Sequence, residues 1–147
     1  MPREISAGII IYRKTVEGLK YLLLYHGGNY WNFPKGKLEQ SERGMDAAFR
    51  EVKEETGLGK NDLVLRDQFR VTNKFFFFRD KKRIFKVVIF YLAQSKKREV
   101  TISQEHNGYG WFVYRQGVKM LKDKSVQDIL SKANNLLIKG TDKKILQ

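Results

Sequence analysis

The sequence contains no cysteine and only two histidines. The lack of cysteine excludes disulfides, thiolate metal sites and a cysteine nucleophile, and two histidines are too few for a three-histidine metal site. No apolar run approaches the roughly 18 residues of a membrane-spanning helix, and the N-terminus lacks the apolar core of a signal peptide. We therefore expect a cytoplasmic protein without a membrane segment, in which any metal is held by oxygen ligands.

Acidic residues are scarce, with 16 Asp and Glu against 29 Lys and Arg, so the net charge of the 147-residue chain is +13. Such a charge favours polyanionic partners, including nucleotides and RNA, but dispersed lysines are also typical of a simple solvated surface. Hydrophobic residues make up 41% of the chain, which is too many for a disordered protein. The length fits one domain over residues 1–147, which we expect to be a monomer.

The hydrophobic pattern predicts several strands followed by helices, without regular alternation between the two. Ser41 is the predicted N-cap of the first helix, and Gly57 is its predicted left-handed stop. Helices are predicted over residues 43–56 and 126–138, and a basic tail from about Lys139 is expected to be frayed. This order predicts an α+β fold in which a mixed sheet lies between helical layers. The predicted strands cover residues 5–13, 20–26, 31–33, 63–79, 84–94, 100–102 and 109–114.

The first helix carries an unusual set of carboxylates. At 100° per residue, Glu51, Glu54 and Glu55 share one stripe along the edge of the helix, next to a predicted apolar face. Like charges at this spacing repel one another, and a hard divalent cation such as Mg²⁺ would relieve that repulsion. Arg50 lies on the flank, where it could clamp a carboxylate. An exposed acidic face with ordinary salt bridges is the alternative interpretation. The predicted apolar face consists of Met45, Ala48, Phe49 and Val52.

The wider spacing around this helix favours the metal interpretation. From Gly36, five residues lead to Glu42 and seven more lead to Arg50-Glu51, followed by Glu54-Glu55 and Gly57-Leu58. Residues 36–58 thus resemble the Nudix box of the Nudix hydrolase family without a mismatch. The resemblance implies an α/β/α sandwich with a central mixed β-sheet. It also implies hydrolysis of a nucleoside diphosphate linked to another moiety, with Mg²⁺ or Mn²⁺ as the cofactor.

The resemblance also implies roles for individual residues of the box. Glu51, Glu54 and Glu55 would be the metal-ligand set, together with the backbone carbonyl of Gly36. Arg50 would orient a glutamate, and Glu42 would brace the loop before the helix. A carboxylate, with Glu54 as the candidate, would take a proton from the attacking water.

Two further segments resemble one subfamily, the asymmetric bis(5′-nucleosyl)-tetraphosphatases. They are residues 31–37, Trp-Asn-Phe-Pro-Lys-Gly-Lys, and residues 102–111, which contain Ser-Gln-Glu-His and end at Trp111. This resemblance implies cleavage of a dinucleoside polyphosphate, diadenosine tetraphosphate, to ATP and AMP. It implies phosphate contacts from Lys35, Lys37 and Lys86, with Glu105 as a second candidate base or metal contact.

Several of these residues have structural alternatives. Lys86 lies among apolar residues of a strand and could instead be solvated on its polar face. We expect His106 to be structural, with a ring nitrogen bonded to the backbone, and His26 to be a turn residue. In residues 75–78, four consecutive phenylalanines, alternation sends two rings to each face of the strand. Phe76 or Phe78 is the predicted base platform, although core packing also explains aromatic runs.

Three other functions compete with dinucleotide hydrolysis. An RNA 5′-pyrophosphohydrolase is the nearest, because the charge of +13 would help a protein to bind RNA through its basic surface. An enzyme that removes damaged nucleoside triphosphates fits the segments outside the box less well. A non-catalytic Nudix module that binds nucleotides or RNA belongs to a different class, and the intact set of box glutamates favours catalysis over it.

Overall fold

The computed structural model describes the backbone of residues 2–146 and the side chains of residues 2–140, which form a mixed sheet and three α-helices. The helices are α1 (Gly44–Thr56), α2 (Tyr114–Met120) and α3 (Lys124–Leu146), and a short 3₁₀ helix covers Lys60–Asp62. The strands are β1 (Arg3–Thr15), β2 (Gly18–Tyr25), β3 (Trp31–Asn32), β4 (Lys35–Lys37), β5 (Leu63–Arg79), β6 (Lys82–Ser95) and β7 (Gly108–Val113).

The seven described strands form one sheet, with the order β3-β2-β1-β6-β5. β1 and β6 run parallel at its centre, while β1–β2 and β5–β6 are antiparallel hairpins. The short strand β4 pairs with the first part of β1, and β7 pairs with β2. The predicted mixed sheet is therefore confirmed, and its centre is the single parallel pair.

Alternating side chains of the central strands build two separate cores. In β1, Ile9 and Ile11 face α1, whereas Ile10 and Tyr12 face the layer made by α2 and α3. All four residues are completely buried. The helices thus cover both faces of the sheet, which confirms the expected α/β/α sandwich.

The ends of α1 differ partly from the prediction. The helix begins after Arg43, which makes no side-chain cap, so the prediction of Ser41 as N-cap was wrong. Ser41 instead adopts a left-handed turn conformation, with φ 66°. At the other end, Gly57 has φ 77° and its N–H donates to the carbonyl of Lys53 at 2.9 Å, as predicted.

Residues 100–102 do not form the strand that their β-branched composition predicted. The N–H of Thr101 donates to the carbonyl of Thr56, and the N–H of Ser103 donates to the carbonyl of Glu55. The backbone of this segment therefore satisfies the last carbonyls of α1 instead of joining the sheet. This contact carries the following loop, with Glu105 and His106, to the C-terminal end of α1.

The C-terminal helix is longer than predicted. α3 runs to Leu146, so the backbone of the basic tail continues the helix past the predicted end at residue 138. Lysine is a good helix former, and each residue added to an existing helix gains a backbone hydrogen bond. Within residues 2–146, no helix combines the length and the apolar character that a membrane span requires.

Candidate active site

The three carboxylates of α1 differ sharply in burial. Glu55 is only 7% exposed, and the side chain of Glu51 is 16% exposed, whereas that of Glu54 is 57% exposed. Met45, placed on the predicted apolar face, is 39% exposed, while Ala47 is completely buried. The helix is therefore rotated relative to the prediction, and two of the three carboxylates point inwards.

Strand β4 lies against this inner side of α1. The N–H of Lys35 donates to Glu55 Oε1 at 2.8 Å. At the next residue, Gly36, a Cβ atom would overlap the carboxylate of Glu51. A side chain at position 36 would therefore displace the carboxylate of Glu51, and the backbone of Gly36 lies beside this predicted metal ligand. The role of its carbonyl as a ligand stays a prediction.

Arg50 links the carboxylates of the site. Its Nε and Nη2 donate to the two oxygens of Glu42 at 2.8 and 3.0 Å, a bidentate pair. Its Nη1 donates to Glu51 Oε1 at 2.9 Å and lies 3.3 Å from Glu54 Oε1. A further bond, from Nη2 to the carbonyl of Lys37 at 3.0 Å, fixes the guanidinium to β4. One planar cation thus holds the helix, the preceding loop and the strand in register.

Glu55 also contacts a histidine that the sequence did not connect to the site. His106 Nε2 lies 3.1 Å from Glu55 Oε2, and His106 Nδ1 lies 2.9 Å from Ser103 Oγ. The expected bond from the ring of His106 to the backbone was therefore wrong, because both ring nitrogens face side chains. Burial raises the pKa of Glu55 to about 8, against the opposing hydrogen bond from Lys35. Burial also lowers the pKa of His106.

Glu51 and Glu105 belong to the same electrostatic environment. Burial raises the pKa of Glu51, and the carboxylates of Glu54 and Glu105 add to the increase, while Arg50 opposes it. Glu105 also contributes to the raised pKa of Glu55. The loop that carries Glu105 thus brings a further negative charge to the buried side of α1.

A divalent cation fits this set of oxygen donors. Within residues 2–140, no group of three or more His, Asp or Glu side chains is already arranged as a cation cage. Mg²⁺ does not need such a cage, because it binds through one or two carboxylates and completes its shell with water and substrate phosphates. Two inward carboxylates whose pKa values are raised by burial, Glu51 and Glu55, are stabilised in their charged form by a nearby cation.

The three predicted phosphate-binding lysines lie on the other face of the sheet from Gly36. In the register of β4 with β1, Lys37 pairs with Ser6 and Lys35 pairs with Gly8. Lys86 on β6 donates from Nζ to Ser6 Oγ at 2.7 Å and is only 8% exposed. Lys86 is therefore buried and hydrogen-bonded, and the solvated alternative was wrong.

An acidic residue near the N-terminus holds part of this basic surface together. Glu4 lies 3.2 Å from Lys37 Nζ and 3.5 Å from Lys86 Nζ, and it also pairs with Arg79. The hydrogen bond from Arg79 is the main reason why the pKa of Glu4 is lowered to about 2. The sequence did not identify Glu4, because a lone glutamate before the first predicted strand carries no local signal.

A cavity of about 170 Å³ opens on the same face as the lysines. Lys35 is one of its walls, and two aromatic rings, Tyr30 and Phe75, are both at least 40% exposed. The remaining walls combine core side chains with a polar rim. They are Trp31, Asn32, Asn73, Val88, Phe90, Leu121, Lys122, Asp123 and Val126.

The predicted base platform does not line this cavity. Phe75 pairs with Lys86 across β5 and β6, whereas Phe76 pairs with Phe85 and therefore points to the opposite face. The structure thus brings Phe75, not Phe76 or Phe78, to the cavity. A run of four phenylalanines contains no signal that says which pair faces which side, because only the register with β6 decides it.

Known proteins resemble this chain over most of its length. The NUDIX domain profile matches residues 2–131. The Mus musculus bis(5′-nucleosyl)-tetraphosphatase [asymmetrical] is 29% identical over 142 residues, which cover 90% of this chain and 94% of that protein. The Caenorhabditis elegans protein of the same name is 29% identical over 135 residues, 90% of this chain and 95% of that protein. A crystal structure of a C. elegans Ap4A hydrolase binary complex matches with a TM-score of 0.82 and 28% identity, over 92% of this chain and 98% of that one.

Proposed function

The chain belongs to the NUDIX family of hydrolases, and from this premise we propose that it cleaves diadenosine tetraphosphate asymmetrically, to ATP and AMP, with Mg²⁺ as cofactor. The similar proteins from mouse and C. elegans, which are named asymmetrical bis(5′-nucleosyl)-tetraphosphatases, support this substrate class. We further propose that residues 1–147 act as one catalytic domain and as a monomer.

The observation that carries the proposal is the position of β4 between the carboxylates and the cavity. Gly36 contacts the carboxylate of Glu51 on one face, while Lys35 lines the aromatic cavity on the other. The N–H of Lys35 also donates to Glu55 at 2.8 Å. A ligand with a nucleoside in the cavity can therefore extend its phosphates along β4 towards α1.

The cavity matches one nucleobase better than a whole dinucleotide. Its volume of about 170 Å³ is below the roughly 300–1,000 Å³ of pockets that enclose drug-sized ligands. Tyr30 and Phe75 offer rings on which a base can stack, and stacking on an aromatic ring is tolerant of base identity. We therefore assign base recognition to these two residues in place of Phe76 and Phe78.

The proposed metal ligands are Glu51, Glu54, Glu55 and the backbone carbonyl of Gly36. When bound there, Mg²⁺, for which Mn²⁺ can substitute, lowers the pKa of a water molecule and neutralises charge on phosphate oxygens. Arg50 keeps Glu51 oriented through a hydrogen bond of 2.9 Å. The lysines at positions 35, 37 and 86 supply positive charge to the polyphosphate.

The reaction needs one proton acceptor and one leaving group. Water attacks phosphorus in line, a P–O bond of the polyphosphate bridge breaks, and the electron pair of that bond leaves with a terminal phosphate oxygen of one product. The proton of the water passes to a carboxylate, for which Glu54 and Glu105 are the candidates. Glu54 is the better placed to move, because its side chain is 57% exposed and its contact with Arg50 is long, at 3.3 Å.

The test is an assay of the purified chain with diadenosine tetraphosphate, with Mg²⁺ or Mn²⁺ and with EDTA. Ion-exchange chromatography should show ATP and AMP in equal amounts, formed only with the cation. Two molecules of ADP would contradict asymmetric cleavage, and an unchanged substrate would contradict the proposed function. Light scattering on the same sample tests the monomer.

A further inference from the structure

The far end of the β5–β6 hairpin exposes aromatic rings that the proposed reaction does not use. Phe76 is 47% exposed and Phe78 is 72% exposed. They stand on the same face of β5, and the connecting turn at Asp80 and Lys81 has φ angles of 52° and 66°. These angles are typical of a tight two-residue hairpin turn, so the turn presents the rings on a rigid strand pair.

Cations surround these rings. The guanidinium of Arg83 lies 3.8 Å from the centroid of the Phe76 ring. Lys81 in the turn is exposed, and Asp80 is the acidic residue between it and β5, whereas Lys82 pairs with Arg79 and therefore points to the other face. We call the set of Phe76, Phe78, Lys81 and Arg83 the hairpin platform.

We propose that the hairpin platform binds single-stranded RNA. Every base can stack on a flat ring, and Lys81 and Arg83 can neutralise phosphates of the backbone, which is how sequence-tolerant single-strand binding works. The stacked pair of Phe76 and Arg83 enlarges the flat surface, because a guanidinium also stacks on bases. The excess of positive charge on the whole chain, +13, favours the same partner.

The platform and α1 lie on the same face of the sheet. A Cβ atom at Gly44, the first residue of α1, would lie 3.3 Å from Ile89 of β6. Phe85, which contacts Phe76 with ring centroids 5.1 Å apart, precedes Ile89 on the same strand and the same face. The two positions are four residues apart, or about 13 Å at ~3.3 Å per residue, which is the rise of about four stacked nucleotides.

An RNA bound to the platform can therefore extend towards α1. Binding at the platform is independent of the proposed function, whereas delivery of a 5′-polyphosphate end to the catalytic carboxylates rests on it. The experiment below measures binding in EDTA, so that its failure is distinguishable from a failure of hydrolysis.

Fluorescence anisotropy with a 12-nucleotide single-stranded RNA labelled at its 3′ end gives the dissociation constant and its salt dependence. We expect Phe76→Ser/Phe78→Ser to raise the dissociation constant at least ~10-fold with an unchanged salt slope, because only stacking is lost. Lys81→Ser should weaken binding and reduce the slope by about 0.7, the contribution of one phosphate contact.

The matched control is Lys14→Ser/Val16→Ser, which removes one exposed cation and one exposed apolar side chain near the β1–β2 turn. It should change the dissociation constant by less than a factor of two. Equal binding by the control and both platform variants would overturn the proposal, because the RNA would then bind elsewhere. Absence of RNA binding by the wild-type chain would also overturn it, as would binding to phosphatidylserine vesicles in place of RNA.

Discussion

The protonation of Glu55 should be measurable in the stability of the metal-free protein. Burial raises its pKa from 4.5 to about 8 in the folded chain. Between these two pH values, the folded protein retains a proton that the unfolded chain has already released. The free energy of unfolding must therefore decrease as the pH rises through this range.

The titration of His26 limits the pH range in which the effect of Glu55 on stability can be measured. Burial lowers its pKa from 6.5 to about 4, so the unfolded chain binds a proton there that the folded protein does not. Stability therefore rises with pH between 4 and 6.5 on account of His26, which opposes the effect of Glu55. Between pH 6.5 and 8, the effect of Glu55 on the free energy of unfolding is not opposed by His26. Over about 1.5 pH units, at ~1.4 kcal/mol per unit, it should lower the free energy of unfolding by about 2 kcal/mol.

Urea unfolding in EDTA at four pH values from 6.5 to 8 tests this reasoning. Glu55→Gln keeps an acceptor for the Lys35 N–H but cannot ionise, so its stability should be flat over this window. Glu17→Gln, a change at a glutamate whose side chain is 70% exposed, should behave as wild type. Mg²⁺ should restore much of the lost stability at pH 8 in wild type only. A flat wild-type curve, or the same decrease in Glu55→Gln, would refute the argument.

Three further changes probe the rest of the site. Glu54→Gln should lower kcat at least ~10²-fold with an unchanged melting temperature, and retention of most activity in steady-state assays would remove Glu54 from catalysis. Gly36→Ala should lower the free energy of unfolding by about 1–3 kcal/mol and weaken Mn²⁺ binding in calorimetry, because its Cβ would overlap the carboxylate of Glu51. An alanine variant that binds Mn²⁺ as tightly as wild type would contradict that contact. Phe75→Ala should raise KM about 10-fold or more with little change in kcat, since a stacked base is worth ~1–3 kcal/mol, and an unchanged KM would exclude the cavity as the base site.

Local patterns predicted the secondary structure where a residue's partner is close in the sequence. The strands β1 and β2 follow from local apolar runs, and the stop of α1 at Gly57 follows from a glycine in the left-handed conformation. The strand predicted over residues 100–102 failed because its hydrogen bonds go to the end of α1. A β-branched segment predicts a strand whether its backbone hydrogen-bond partner is another strand or the end of a helix.

The sequence predicted the carboxylates of the candidate site but not their arrangement. The spacing of the carboxylates on α1 follows from helical geometry, whereas their burial depends on which side of the helix packs on β4. Met45 and Ala47 show why hydrophobic pattern alone does not predict that side, because the larger apolar side chain is exposed and the smaller one is buried. The small residue allows close approach of helix to sheet, and that approach turns Glu51 and Glu55 inwards.

In the proposed mechanism, the unequal burial of the three carboxylates lets one short helix serve two chemical needs. A cation requires ligands that stay in place, and Glu51 and Glu55 are held by Arg50 and by the Lys35 N–H at 2.9 and 2.8 Å. A proton acceptor must instead reach the attacking water and then release the proton to solvent, which suits the exposed side chain of Glu54. Repulsion within the buried pair is the electrostatic cost of this arrangement in the metal-free protein, and it is also what favours binding of the cation.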